Sequence, residues 1–164
     1  MEIFMLGNSL VTEKAIYKCS HGKNGCTDDK IEGDMMSPNG QFYLRRAFYR
    51  ADKTHKPETL LPIVAITTDM GWCDDPSKPE YNTLIKLPFD GSHEKMWRED
   101  DLYDLVIEVG YNDEQIVPGL GSAIFIHCIG PEYSGTAGCI GLNKDDLHNL
   151  IKDLSVHSTI TIQS

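Results

Sequence analysis

Two residues in this chain have the types and surroundings that thiol chemistry requires. Cys139 lies in the run Ser134-Gly135-Thr136-Ala137-Gly138-Cys139-Ile140-Gly141-Leu142, where small residues crowd the approach to the sulfur and an apolar segment follows at once. Twelve positions upstream, His127 ends the apolar run Ser122-Ala123-Ile124-Phe125-Ile126. A histidine at a strand end and a cysteine on a small-residue loop supply a base and a nucleophile. The imidazole takes the thiol proton and the sulfur attacks a carbonyl. Gly138 belongs to the same constellation. A residue without a side chain lets the N–H groups of 138 and 139 approach a developing oxyanion, and losing one such donor costs on the order of a hundredfold in rate.

The elements that must position this pair read mainly as strands. Ser122–His127 is apolar on both faces, as in a central strand covered on each side. Alternation puts His127 on the face of Phe125 and Ala123, and Cys128 on the face of Ile126 and Ile124. Further strands are predicted over 13–19, 41–49, 63–67, 83–87, 104–111 and 158–163. Asn24-Gly25 is a two-residue hairpin signal. Residues 52–62 and 71–79 read as loops with paired prolines, and 92–101 as a helical turn on the surface. One amphipathic helix is predicted over about 143–154. Asn143 caps it, Asp145 and Asp146 suit its first turn, and Leu147, Leu150, Ile151 and Leu154 form one apolar stripe.

Composition bounds the function. A chain of 164 residues, 40% hydrophobic and 24% charged, reads as one domain over 1–164 with a real core. A net charge of −10 argues against nucleic acid, which is bound through clustered Lys and Arg. No apolar run reaches the length of a membrane span. The first residues carry no export signal, so either the protein stays in the cytoplasm or the chain as given has lost its leader. Five cysteines leave at least one unpaired. The hairpin at 24–25 would set Cys26 opposite Lys23 and Cys19 opposite Lys30, which argues against a bridge between the two cysteines. Cys19, Cys26, Cys73 and Cys128 read as small buried hydrophobes.

Other chemistries fit less well. His127, Cys128, Cys139 and His148 lack the short paired spacings of a zinc site, and neighbouring strand residues face opposite ways. Gly119-Leu120-Gly121 opens like a phosphate loop but leads into a strand rather than a helix. Asp74-Asp75 before Pro76 reads first as a turn. No metal and no cofactor is expected.

The ordered motifs resemble the L,D-transpeptidase (YkuD-type) catalytic domain. The resemblance rests on Ser122–His127 and Thr136-Ala137-Gly138-Cys139-Ile140. It extends to residues 33–40, Tyr49-Arg50, residues 71–76, Glu94 with Trp97-Arg98, Tyr103-Asp104 and Tyr111-Asn112. It runs from about Cys19 to the C-terminus. It implies a mainly β fold, two sheets wrapped into a sandwich around a cleft, and action on bacterial peptidoglycan. In the reaction implied, Cys139 attacks the carbonyl between a stem's diamino acid and its terminal D-alanine, releasing D-alanine and leaving a thioester. A second stem's side-chain amine then forms a cross-link. With water as acceptor the enzyme would be an L,D-carboxypeptidase.

The same resemblance implies a place in the cell envelope or periplasm and peptidoglycan stem peptides as partners. Tyr49, Arg50, Trp97 and Arg98 are candidates for holding stem carboxylates, since each arginine stands beside an aromatic. Thr136 and Ala137 would line the approach to the sulfur. Ala137 departs from the family, which often has histidine there. An active pair should also hold Cys139 below the pKa of a free cysteine. The alternatives are an amidase or peptidase releasing D-amino acids, and an inactive peptidoglycan-binding module on the same scaffold.

Overall fold

A computed structural model describes residues 1–163. The chain runs through β1 (Glu2–Leu6), β2 (Ser9–Val11), β3 (Ile16–Ser20), β4 (Cys26–Thr27), β5 (Ser37–Pro38), β6 (Gly40–Tyr49) and β7 (Ile63–Ala65). It continues through β8 (Met70–Cys73), β9 (Leu84–Lys86), β10 (His93–Lys95), β11 (Leu105–Val109), β12 (Phe125–Cys128) and β13 (Ile140–Leu142). It ends with α1 (Lys144–Ile151) and β14 (Thr159–Gln163). The mainly β expectation with a single C-terminal-region helix holds.

Nine strands form one sheet in the order β11-β12-β13-β3-β2-β1-β14-β6-β7, and β6 also pairs with β11. The long strand β6 makes this possible. Its first half, 40–43, pairs with β14, and its second half, 44–49, pairs with β11. The two sheets of the expected sandwich are thus one sheet wrapped back on itself. Alternation along β1 buries Ile3 and Met5, and along β14 it buries Ile160 and Ile162. With Leu10, Leu44, Ile107, Ile126, Ile140 and Leu142 they fill the interior, joined by Leu147, Leu150, Ile151 and Leu154 from α1 and just beyond it.

A second core lies on the other face of β11 and β12. Phe48, Val106 and Phe125 meet Trp72, Met96 and Tyr103 there, with Cys139 at the edge. Its outer layer is a three-stranded sheet, β10-β8-β9. Trp72 packs edge-on against Phe125 with ring centroids 5.0 Å apart. Residues 105–109 and 125–128 are therefore buried on both faces, as the apolar run at 122–127 led one to expect for the second of them.

The structure corrects several local expectations. Asn24-Gly25 turns, with Gly25 at φ +94°, but closes no hairpin. Strand β4 pairs in parallel with β5, while β3 pairs with β2 and β13. All five cysteines are free thiols. Residues 93–95 form a strand rather than a helical turn, because they extend the pairing of β8. Within 71–79, residues 71–73 belong to that same sheet.

Helix α1 is capped as its sequence requires, Asn143 accepting a hydrogen bond from the Asp146 N–H at 2.8 Å. Replacing Asn143 with Ala should cost about 1 kcal/mol. Replacing the buried Leu150 with Ala should cost roughly 2–5 kcal/mol. Urea unfolding followed by circular dichroism would read both, and equal effects would contradict the packing described.

Candidate active site

Strands β12 and β13 run parallel, with Ile126 beside Ile140, His127 beside Gly141 and Cys128 beside Leu142. Carried one residue back, the register sets Cys139 beside Phe125. Alternation then turns His127, Phe125 and Cys139 to the second core, and Ile126, Cys128, Ile140 and Leu142 to the first. Both His127 and Cys139 line a cleft of about 210 Å³, together with Glu94, Arg98, Leu102, Tyr103, Ile129 and residues 134–137.

The imidazole is oriented by the main chain. His127 Nδ1 lies 2.7 Å from the Cys128 carbonyl. A carbonyl only accepts, so Nδ1 carries the proton and Nε2 is the ring's basic atom. That carbonyl is the partner that orients the ring. Tyr103 packs edge-on against the same ring at 5.5 Å between centroids. Burial pushes the imidazole pKa down, the Cys128 carbonyl works against that, and the Arg98 charge adds to it.

The sulfur departs from the expectation of a lowered pKa. Cys139 is 8% exposed, and its thiol donates to the Ala123 carbonyl at 3.1 Å. Burial pushes its pKa up to about 12, and the Glu94 charge adds to the rise, while a hydrogen bond from the Phe125 backbone opposes it. The resting pair is a neutral thiol beside a neutral imidazole.

A strained loop holds the thiol's acceptor. Ala123 has φ +52°, a left-handed conformation that costs a residue with a side chain about 1–2 kcal/mol. Its N–H donates to Asn82 Oδ1 at 3.0 Å. The same oxygen accepts from Trp72 Nε1 at 3.0 Å, while Asn82 Nδ2 donates to the carbonyls of Tyr111 and Asn112.

The cysteine loop is tied at both ends. Thr136 pairs with residues 21–23 through its backbone, its N–H donating to the His21 carbonyl at 2.9 Å. Its Oγ1 donates to the Cys139 carbonyl at 2.5 Å and accepts from the Gly138 N–H at 3.1 Å. That N–H is therefore engaged, not free for an oxyanion as expected. Gly138 is required for another reason. Its φ is +133°, and a Cβ there would come within 2.7 Å of the Met36 carbonyl.

Of the side chains expected to hold substrate, Arg98, Thr136 and Ala137 line the cleft, and Ala137 is exposed at its mouth. Tyr49, Arg50 and Trp97 are absent from that lining. Tyr49 packs against the first core. Arg50 is 4% exposed, is bound to Asp52 at 2.8 Å through both Nε and Nη2, and lies 3.6 Å from the centroid of the Trp97 ring. It also donates to the Arg98 carbonyl, so it clamps the segment that carries Arg98.

Two further cleft residues were in the sequence motifs without a role. Tyr103 donates to Glu94 Oε2 at 2.6 Å. Burial raises the pKa of both groups, that of Tyr103 to well above its ordinary value. Glu94 reaches the cleft because it pairs opposite Trp72, which faces the second core. Among the described residues, no group of three His, Cys, Asp or Glu side chains is arranged to hold a metal ion, and no helix is long and apolar enough to cross a membrane.

A sequence model of the L,D-transpeptidase catalytic domain (YkuD) matches residues 4–162. The chain belongs to that family. No curated protein matches it. Among solved structures, it is similar to one titled "Structure of Bdellovibrio bacteriovorus Bd1075", with a TM-score of 0.51 and 15% identity. That likeness covers 98% of this chain and 46% of that one, so the chain spans less than half of its length. At this identity it speaks for the fold alone.

The raised thiol pKa has a direct readout. Iodoacetamide should alkylate Cys139 more slowly at pH 7 than it alkylates the half-buried Cys26, and the Cys139 rate should still be climbing above pH 9. Peptide mapping by mass spectrometry would follow both. A Cys139 rate that levels off below pH 8 would contradict the neutral thiol.

Proposed function

We propose that this protein is a cysteine acyltransferase acting on peptidoglycan stem peptides in the cell envelope. The observation that supports it most is the shared cleft of Cys139 and His127, with Nε2 left basic by the bond from Nδ1 to the Cys128 carbonyl. As Cys139 Sγ attacks the carbonyl between the diamino acid and the terminal D-alanine, His127 Nε2 takes the thiol proton. It returns that proton to the leaving amine, and a thioester remains. An amine from a second stem then resolves the thioester, giving L,D-transpeptidation. Water in its place would give L,D-carboxypeptidase activity.

Concerted transfer suits this site. A thiol with a pKa near 12 and a depressed imidazole do not form an ion pair before substrate arrives. Arg98 is the one Lys or Arg on the described cleft lining; paired with Asp100 through Nε and Nη2, it is assigned the carboxylate of the D-alanine end through its remaining Nη1. Thr136 and Ala137 border the path of the stem. The Cys139 N–H remains a candidate oxyanion donor, whereas that of Gly138 would have to leave Thr136 Oγ1.

Incubation with purified muropeptides and mass spectrometry of the products would test substrate, bond and acceptor together. The expected result is loss of terminal D-alanine with cross-linked dimers, reduced by at least about a thousandfold in Cys139→Ala and in His127→Ala. Trimmed stems without dimers would assign hydrolysis. No product, and no covalent adduct on Cys139 after exposure to a carbapenem, would leave only a binding module.

A further inference from the structure

Glu94 is a charged group in the cleft whose electrostatic needs the protein meets only in part. Its Oε2 accepts the Tyr103 hydroxyl at 2.6 Å, and no other hydrogen bond reaches the side chain among the described residues. The charges that act on it are mostly of its own sign. Asp74 and Glu32 oppose its ionisation, and Arg98 favours it. Arg98 is itself engaged, donating to both oxygens of Asp100 from Nε at 2.8 Å and Nη2 at 2.6 Å. A carboxylate partly withdrawn from water and lacking a free counter-charge is costly. A ligand that brings a positive charge to this wall removes that cost. The nucleophile is in the same cleft, whose lining includes both Glu94 and Cys139.

We propose that Glu94 holds the ammonium group of the incoming acyl acceptor and takes its first proton, so that it selects an amine over water. This rests on the acyltransfer reading above and deepens it. The free enzyme gains nothing from a negative charge beside the thiol, which only disfavours thiolate. Once the sulfur is acylated that conflict is gone, and the same charge attracts a cation to the thioester.

The protons balance. The ammonium gives one proton to the Glu94 carboxylate, and the resulting amine attacks the thioester carbonyl. The C–N bond forms and the C–S bond breaks. The second amine proton passes through His127 to the departing sulfur. A neutral amide, a thiol and a protonated Glu94 result, and Glu94 returns its proton to water. The hydrogen bond from Tyr103 leaves the other carboxylate oxygen for the ammonium and fixes the plane of the group.

The test measures the ratio of amine-transfer product to hydrolysis product from one enzyme, with a stem-peptide donor and a tripeptide stem carrying a free side-chain amine. A ratio is independent of the fraction folded and of the acylation rate. Glu94→Gln keeps an acceptor for the Tyr103 hydroxyl and should lower the ratio at pH 7.5 at least tenfold. The deficit should shrink as pH rises toward about 10.4, the ordinary pKa of a lysine-type amine, where the acceptor needs no proton taken. An unchanged ratio in Glu94→Gln, or hydrolysis alone in the wild type, would overturn the proposal and leave acyl transfer standing. Failure of the wild type to acylate Cys139 at all would overturn both.

Discussion

The parallel pairing of β12 with β13 is the constraint on which the site depends. Two adjacent parallel strands present paired residues on one face, so His127 and the residue before Ile140 share a side. A shift of one residue would send Cys139 into the aliphatic interior with Ile140 and Leu142. The register is fixed from both faces. Ile126, Ile140 and Leu142 are locked against α1 and β1, while Phe125 is locked against Trp72 and Tyr103. Parallel strands need a crossover, and here it is the loop from Ile129 to Cys139, tied at Thr136 to residues 21–23. The loop is irregular, yet two backbone hydrogen bonds fix Thr136 three residues before the cysteine.

Around that pair the electrostatics favour neutrality. Depth in the protein disfavours both the thiolate and the imidazolium, and Glu94 and Arg98 each add a charge of the unhelpful sign for one of them. The orienting contact for the imidazole comes from a main-chain carbonyl, so it adds no charge. For the proposed acyl transfer, this means that substrate completes the electrostatics. Chemistry begins when a carbonyl is present to take the electron pair.

Much of the site was legible because it depends on local rules. Parity along 122–128 gave the facing of His127 and Cys128 correctly, and the cap and stripe of α1 gave its position. What was not legible depends on partners distant in sequence. The bond between Glu94 and Tyr103 exists only because β10 extends the sheet of β8, which residues 92–101 alone do not reveal. Arg50 beside an aromatic suggested ligand binding. The stacking is real, but with Trp97, and the guanidinium is satisfied by Asp52. Strand β1 escaped because Phe4 and Leu6 on its outer face are as apolar as Ile3 and Met5 on its inner face. Ser122–Ile124 read as strand, although Ala123 turns left-handed there, because nothing in its sequence reports that Asn82 will hold it.

The hydrogen bond from the Cys139 thiol to the Ala123 carbonyl has a consequence for durability. Peroxide and other electrophilic oxidants attack thiolates, and the sulfenic and sulfinic forms that follow would end the usefulness of this sulfur. A sulfur stored as S–H, recessed and facing a backbone oxygen, is a poor target for them. A thiol held this way should oxidise more slowly than a free cysteine, which keeps the sulfur in its reduced form for longer.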